Sequence, residues 1–199
     1  MNPIHDVICS SRWWSRRVEH DLIPWALRDV DLGDDVLEIG PGFGATTRLL
    51  VRERGARQLT VVELEERYCR KLRDVLGDAV TVIQANAVQL PFDDGRFSAV
   101  VCFTMLHHIP VREEQDRVLG EVARVLRPGG TFAGTDSVGT GLLFKLIHIG
   151  DTLLPIDPDE LPTRLRAAGL SEPDVRRADG TFRFRALKAV APALVPEEQ

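Results

Sequence analysis

Short apolar runs alternate along the chain with segments in which apolar positions recur at helical spacing. The runs are rich in β-branched and aromatic residues and are bounded by charged residues, glycine or proline, which is typical of buried β-strands. Five strands are predicted in this way, at residues 36–39, 59–62, 80–83, 99–103 and 131–133.

The segments between these runs predict helices. The clearest helix has Val118, Leu119 and Val122 on one face and is ended by the sequence Pro128-Gly129-Gly130. A strand, a helix and a further strand, repeated along a chain, predict parallel strands joined by right-handed crossovers. The predicted helices cover residues 46–54, 65–76 and 112–126.

The C-terminal part of the chain has a different pattern. Residues 172–178 and 181–189 flank Asp179-Gly180, a pair suited to a tight turn with positive φ, and therefore predict an antiparallel hairpin. Near the N-terminus, residues 18–30 predict a helix that follows a looser aromatic segment at residues 4–14. We expect an α/β fold, with a Rossmann-like, doubly wound, mostly parallel seven-stranded sheet that ends in an antiparallel C-terminal hairpin.

Composition and charge narrow the classes of function. The chain has 199 residues, of which 44% are hydrophobic and 28% charged, as in one ordinary globular domain. Its net charge of -5 does not indicate a nucleic-acid partner. The scattered Cys9, Cys69 and Cys102 lack the spacing of a metal site. The N-terminal segment resembles neither a signal peptide nor a spanning helix, so we expect a cytoplasmic protein without a membrane span.

Three glycines follow the first predicted strand, in the stretch "VLEIGPGFGATT". In an open parallel sheet, the crevice for the ligand lies where the first strand turns into its helix. Without Cβ atoms at Gly40, Gly42 and Gly44, a ligand can lie against the backbone, and the next helix offers unpaired N–H groups to an anion. A tight turn that binds nothing is the alternative.

Glu63 closes the second predicted strand about twenty residues after the glycines. An acidic side chain at this place in such a sheet accepts hydrogen bonds from a ribose diol. A solvated carboxylate beside Glu65 and Glu66 is the alternative. Together the turn and the acid predict an adenosine-type ligand, but they do not separate NAD from other nucleosides, because Gly40-x-Gly42-x-x-Ala45 also fits the loose dinucleotide fingerprint.

Four motifs follow one another along the chain: "VLEIGPGFG", "VVELEE", "IQANAVQLPFDDGRFSAVVCFTMLHHIP" and "EVARVLRPGG". Together they resemble the class I S-adenosylmethionine-dependent methyltransferases, and most closely the group related to ubiquinone and menaquinone biosynthesis. The resemblance covers roughly residues 34–137 and implies S-adenosyl-L-methionine as cofactor.

The resemblance also implies roles for individual residues. Glu38 and the glycines Gly40, Gly42 and Gly44 would hold the methionine part of the cofactor. Glu63 would bind the ribose hydroxyls, and Leu64 would pack on the adenine. Asn86, where the family usually has aspartate, would read the adenine edge together with the N–H of Ala87, and the chain around Phe103 would meet the methionine amino group.

Two adjacent histidines, His107 and His108, follow the fourth predicted strand and are candidates for a general base, since neutral imidazole is available near pH 7. We prefer His107, because His108 aligns with a family histidine that can be structural. Asp136, beyond the fifth strand, is a weaker candidate.

The acceptor is expected to be a small, partly apolar molecule. Residues 2–25 and 139–158 flank the predicted crevice, the latter with Phe144, His148 and Asp151. We expect residues 1–33 to form an N-terminal helical segment that acts as a lid, and residues 34–199 to form the cofactor-binding domain. The alternative for residues 4–14 is a contact with a second subunit, so a monomer and a homodimer both stay open.

Two other functions are compatible with the glycine turn and Glu63. The first is an NAD(P)-dependent oxidoreductase, although the only tyrosine, Tyr68, has no lysine at short helical spacing other than Lys71. The second is a non-catalytic nucleoside-binding subunit, which would keep the fold without an acceptor pocket.

Overall fold

A computed structural model of the chain describes residues 7–8, 10–53, 58–139 and 153–190. Seven strands form one sheet: β1 (Asp35–Ile39), β2 (Gln58–Glu63), β3 (Thr81–Gln84), β4 (Phe97–Phe103), β5 (Leu126–Ser137), β6 (Leu170–Ala178) and β7 (Thr181–Lys188). Their order in the sheet is β3-β2-β1-β4-β5-β7-β6. Strands β1 to β5 pair in parallel, whereas β7 pairs antiparallel with both β5 and β6. The predicted fold class is confirmed.

Helices cover both faces of this sheet. They are α1 (Arg12–Arg17), α2 (Ile23–Ala26), α3 (Ala45–Glu53), α4 (Glu66–Leu76), α5 (Arg112–Val125) and α6 (Leu161–Ala167). Alternation along β1 directs Val36 and Leu37 into two different hydrophobic clusters, one on each face. The face of Leu37 carries α5 and α6, and the face of Val36 carries the N-terminal helices with α3 and α4.

The N-terminal helical run differs from the prediction of one helix at residues 18–30. It begins at Arg12 with α1, continues through a π-helical turn at Val18–Leu22, and ends with α2 at Ala26. Ser11 caps its start, because the Ser11 hydroxyl accepts a hydrogen bond from the Trp14 N–H at 3.1 Å. Trp13 and Trp14 therefore belong to a helix, and Trp14 packs against the core.

Strand β5 is longer than predicted and begins at Leu126, directly after α5. The Pro128-Gly129-Gly130 sequence lies inside it, where the pairing between β4 and β5 shifts register between Phe97 and Ala99. At its other end β5 continues to Ser137, so Asp136 lies within the strand and not beyond it. Helix α6 was not predicted, since its seven residues include Pro162 and show no long apolar period.

Several expectations concern residues outside the described parts of the chain. They include residues 4–6 and Cys9 of the N-terminal segment, and Phe144, His148 and Asp151, which were expected in a segment that flanks the crevice. The division between residues 33 and 34, and the role of residues 1–33 as a lid, stay predictions. Among the described helices, none is long and apolar enough to cross a membrane.

Candidate active site

A cavity of about 380 Å³ opens at the carboxyl edge of the parallel strands. This is the edge at which open α/β sheets bind ligands. Its floor consists of strand ends and the loops that follow them, and one wall comes from the N-terminal helical run. The floor residues are Ile39, Gly40, Pro41, Gly42, Val62, Glu63, Leu64, Ala85, Asn86, Ala87, Phe103 and Thr104, and the wall includes Trp14, Val18 and Leu22.

The three glycines of the turn all have positive φ, but for different structural reasons. A Cβ on Gly40 would lie 2.3 Å from Met105 Cγ, and a Cβ on Gly44 would lie 2.5 Å from Leu72 Cδ2. A Cβ on Gly42 would meet no atom within 4 Å, and Gly42 lines the cavity. Packing therefore requires glycine at Gly40 and Gly44, whereas glycine at Gly42 leaves space beside the backbone open.

Glu63 is the last residue of β2 and lines the cavity, although its side chain is largely buried. Its Oε2 accepts a hydrogen bond from the Gly42 N–H at 3.1 Å, and its Oε1 accepts one from the Glu65 N–H at 3.0 Å. Burial raises the pKa of Glu63. Because each carboxylate oxygen has a second lone pair, Glu63 retains acceptor capacity toward a ligand.

Glu38 lies behind the cavity floor and is 1% exposed. The alternation of β1 directs it to the same side as Val36, where the Thr46 hydroxyl of α3 donates a hydrogen bond to Glu38 Oε1. Glu38 Oε2 is buried and has no hydrogen-bond partner in the described part of the chain. Burial raises the pKa of Glu38 to about 7. Thr46 lines the cavity, and sequence reasoning did not single it out.

The loop after β3 brings Asn86 and Ala87 to the same cavity. The Asn86 Oδ1 accepts a hydrogen bond from the Val88 N–H at 3.1 Å, so this side chain also shapes its own loop. Phe103, at the end of β4, is buried on the cavity floor, whereas Leu64 is 61% exposed at the rim. Of the predicted cofactor residues, only Glu38 and Gly44 lie behind the lining.

The two histidines lie on one 3₁₀ turn, Leu106–His108, but occupy different environments. His108 lines the cavity. His107 is buried outside the lining, and its Nδ1 contacts a carboxylate oxygen of Asp136 within β5. The His107 N–H also donates to Asp136 Oδ2 at 3.2 Å. The geometry thus favours His108, and not the preferred His107, for direct contact with an acceptor, while the catalytic role of either stays a prediction.

A buried glutamine holds the histidine turn in place. Gln115 Nε2 lies 3.2, 3.0 and 2.8 Å from the carbonyl oxygens of Leu106, Ile109 and Leu154, and shares its two hydrogens among these three acceptors. Its Oε1 accepts a hydrogen bond from Arg164 Nη2 at 3.0 Å. Sequence reasoning missed this network, although a glutamine three residues before Val118 on the apolar face of α5 was a signal for it.

The described residues contain no group of three or more His, Cys, Asp or Glu side chains arranged to hold a metal ion. Cys69 and Cys102 are buried free thiols. Burial raises the pKa of the Cys102 thiol well above its ordinary value, so neither its position nor its protonation suits a nucleophile.

Comparison with known proteins identifies the family. Residues 37–134 match the methyltransferase domain family. Methyltransferase GfsG of Streptomyces halstedii is 35% identical over 58% of this chain and 42% of its own length, so the match spans less than half of that relative. A ubiquinone biosynthesis O-methyltransferase of Pseudomonas aeruginosa is 30% identical over 82% of this chain and 80% of its own length.

The chain belongs to the class I S-adenosylmethionine-dependent methyltransferases. The fold agrees with this family. A putative methyltransferase solved in complex with the Haloferax volcanii Trm112 methyltransferase activator superposes with a TM-score of 0.72 over 94% of this chain and 94% of that chain, at 18% identity. The glycine turn and the acidic residue after the second strand occur in dehydrogenases as well as in methyltransferases. Because the chain belongs to the methyltransferases, these two features no longer support a dehydrogenase.

The cofactor of this family, S-adenosylmethionine, fits three features of the cavity. Gly42 leaves the backbone open to an extended ligand. Glu63 offers carboxylate lone pairs at the position where such sheets bind a ribose. Glu38 Oε2 is a buried acceptor that lacks a donor in the described residues, and the methionine part of the cofactor carries an ammonium donor.

The open space at Gly42 yields a first prediction. In Gly42→Leu the side chain enters the cavity, so the affinity for S-adenosylhomocysteine, measured by calorimetry, falls by at least about tenfold. Gly180→Leu is a matched control, because Gly180 also has positive φ and no atom within 4 Å of its Cβ but lies in the β6–β7 turn. Both variants carry about 1–2 kcal/mol of backbone strain. Equal affinities in the two variants would contradict the placement of the cofactor.

The buried Glu38 yields a second prediction, on the cofactor-free protein. Its pKa is raised from 4.5 to about 7, so the neutral carboxyl favours folding below pH 4.5, and this contribution is lost as pH rises through 7. The shift corresponds to about 3 kcal/mol. Glu38→Gln removes this dependence, so the stability of the variant relative to the natural chain increases from pH 5 to pH 8 in urea titrations.

The control for this measurement is Glu113→Gln, which removes an exposed carboxyl group of α5 and is measured over the same pH range. A stability difference between Glu38→Gln and the natural chain that is constant from pH 5 to pH 8 would show that Glu38 is ionised throughout this range in the folded protein.

Proposed function

We propose that this protein binds S-adenosylmethionine in the cavity at the glycine turn and transfers its methyl group to a hydroxyl group of a small, largely apolar acceptor. In this proposal Gly40, Gly42 and Gly44 shape the turn for the methionine part, and Glu38, together with Thr46, faces its ammonium group. The ribose hydroxyls donate to Glu63. The adenine packs on Leu64 beside Asn86 and Ala87, and Phe103 forms the floor.

One observation carries the proposal. The Gly42 N–H and the Glu63 carboxylate are joined by a 3.1 Å hydrogen bond, and both line the same cavity. The turn and the acid, 21 residues apart in the chain, therefore form one surface, on which a ribose can meet the acid while the rest of the ligand follows the open backbone.

The residues that line the rest of the cavity are suited to an apolar acceptor. It is formed by aromatic, aliphatic and thioether side chains around one imidazole, a combination suited to a small molecule with few polar groups. The wall residues are Trp14, Val18, Leu22, Met105, His108 and Ile109. The Pseudomonas relative that covers most of this chain is named an O-methyltransferase, which supports oxygen as the methylated atom.

The cofactor, when bound, supplies an electrophilic sulfonium methyl group and leaves as a neutral thioether once the methyl carbon has been transferred. The protein's part is to hold the acceptor oxygen in line with that carbon and to exclude water. His108, as a neutral imidazole, accepts the hydroxyl proton as the oxygen attacks. Gln115 and the His107–Asp136 pair keep the turn that carries His108 fixed.

The test uses release of S-adenosylhomocysteine with a panel of phenols, aliphatic alcohols, amines and thiols. Hydroxylated apolar acceptors are expected to be methylated. His108→Gln is expected to lower kcat by about 10²–10⁴-fold on a phenol, to leave the affinity for S-adenosylhomocysteine within about twofold, and to abolish the fall of kcat at acidic pH.

His107→Gln separates the two histidines. It loses the contact with Asp136 and is expected to unfold at a lower temperature, yet it retains the acidic fall of kcat, because His108 is still present. Retention of that fall in His108→Gln, together with its loss in His107→Gln, would assign the base to His107. Tight binding of S-adenosylhomocysteine with no turnover of any acceptor would favour a non-catalytic nucleoside-binding subunit.

A further inference from the structure

A second cavity, of about 350 Å³, lies between the residues that follow α2 and the antiparallel strands β6 and β7. Four arginines line it, with only two acidic residues. None of these residues lines the cavity at the glycine turn. The charged lining residues are Arg28, Asp29, Asp174, Arg176, Arg183 and Arg185.

The strand register brings these charges onto one face of the hairpin. Arg176 of β6 is the direct partner of Arg183 in β7, and Asp174 is the direct partner of Arg185. Residues two apart in a strand share a face, so Arg183 and Arg185 project to the same side. Like charges directly opposite each other destabilise an antiparallel pair, so the Arg176–Arg183 pairing opposes folding.

The two acidic residues of this cavity, Asp29 and Asp174, do not neutralise the arginines of both strands. Asp174 accepts hydrogen bonds from Arg176 Nε through both carboxylate oxygens at 3.1 Å. Arg183 and Arg185 donate to carbonyl oxygens, those of Trp25 at 2.7 Å and Asp29 at 3.4 Å. Within the described residues, neither forms an ion pair with a carboxylate, although both side chains are half-buried.

Protection of a sheet edge does not explain the presence of Arg183 and Arg185. Charged residues on an edge strand prevent pairing with other chains, and this explains Arg176 on β6. Strand β7 lies between β5 and β6, so Arg183 and Arg185 are not at the edge. The Arg183 guanidinium also lies 5.8 Å from the centroid of the Trp25 ring. Beside an open cavity, two half-buried guanidinium groups without carboxylate partners in the described residues offer planar donor pairs that match phosphate oxygens.

We propose that this arginine cavity binds a small anion that carries a phosphate or pyrophosphate group. The planar guanidinium groups of Arg183 and Arg185 donate in pairs to phosphate oxygens, and Arg176 and Arg28 add charge at the rim. The site is separate from the methyl-transfer cavity and does not depend on the acceptor chosen there. The N-terminal helical run reaches both, since Val18 and Leu22 line the first cavity and Ala26 lines the second.

Calorimetry with pyrophosphate at low ionic strength tests the site. Saturating S-adenosylhomocysteine is present, so that the glycine turn is occupied. The natural chain is expected to bind one pyrophosphate per chain, with an affinity that weakens as salt is added. In Arg183→Gln/Arg185→Gln the affinity is expected to fall by about tenfold or more, because two charge-assisted donor pairs are removed.

The matched control is Arg112→Gln/Arg177→Gln, which removes the same charge from arginines whose guanidinium groups pair with Glu160 and Asp159. It is expected to bind pyrophosphate within about twofold of the natural chain. Arg183→Lys/Arg185→Lys keeps the charge but loses the planar donor pairs, and an intermediate affinity is expected. Retained affinity for S-adenosylhomocysteine shows that each variant is folded.

Three results would overturn the proposal. The first is the absence of saturable pyrophosphate binding by the natural chain, and the second is an equal loss of affinity in the glutamine variant and its control, which would indicate diffuse charge attraction. The third is tighter binding of citrate than of pyrophosphate, which would exclude a phosphate group as the recognised chemistry.

Discussion

The carboxylate of Glu63 accepts a hydrogen bond from the Gly42 N–H and so links the end of β2 to the glycine turn that follows β1. The cavity depends on this link. The backbone contributes a second link, because the Gly40 N–H donates to the Val62 carbonyl oxygen at 2.8 Å. With both links in place, the turn stays against β2 and its open side at Gly42 faces the cavity. The parallel pairing of β1 with β2 and β4 then sets the distance between this turn and the turn that carries His108.

Two acidic side chains beside one turn also make the site electrostatically unusual. Burial raises the pKa of Glu38 and of Glu63, and the charge of Glu63 further raises that of Glu38. A cationic ligand at the turn would stabilise both carboxylates, so this arrangement favours a ligand with positive charge, such as the ammonium and sulfonium groups of S-adenosylmethionine. Ionising the two carboxyl groups therefore carries a free-energy cost in the ligand-free protein, and a cation bound at this turn would relieve it.

Much of the fold was predictable, because the parallel strands are short, apolar and separated by periodic helices. The glycine turn and Glu63 were predictable for a related reason, since topology alone brings the ends of adjacent parallel strands together. The N-terminal run was predicted less well. Its cap at Ser11 and its π-helical turn at Val18–Leu22 depend on local hydrogen bonds and packing that no periodicity reveals.

The different positions of the two histidines could not be predicted. His107 and His108 are adjacent in sequence, and only the 3₁₀ turn, with Asp136 inside β5, decides which of them is buried. Asp136 was expected beyond β5 because the predicted strand covered only residues 131–133, whereas β5 continues to Ser137. The arginine cavity likewise depends on the register of β6 against β7, which sequence patterns do not specify.

A crystal structure of the protein with S-adenosylhomocysteine would show whether the ligand lies against Glu63 and Gly42. We expect the ribose hydroxyls to lie within hydrogen-bond distance of the Glu63 carboxylate, the ligand to pass over the open side of Gly42, and its sulfur to face the part of the cavity that contains Met105 and His108. A ligand bound away from the glycine turn, or one whose ribose makes no contact with Glu63, would show that the glycine turn and Glu63 do not form the cofactor site.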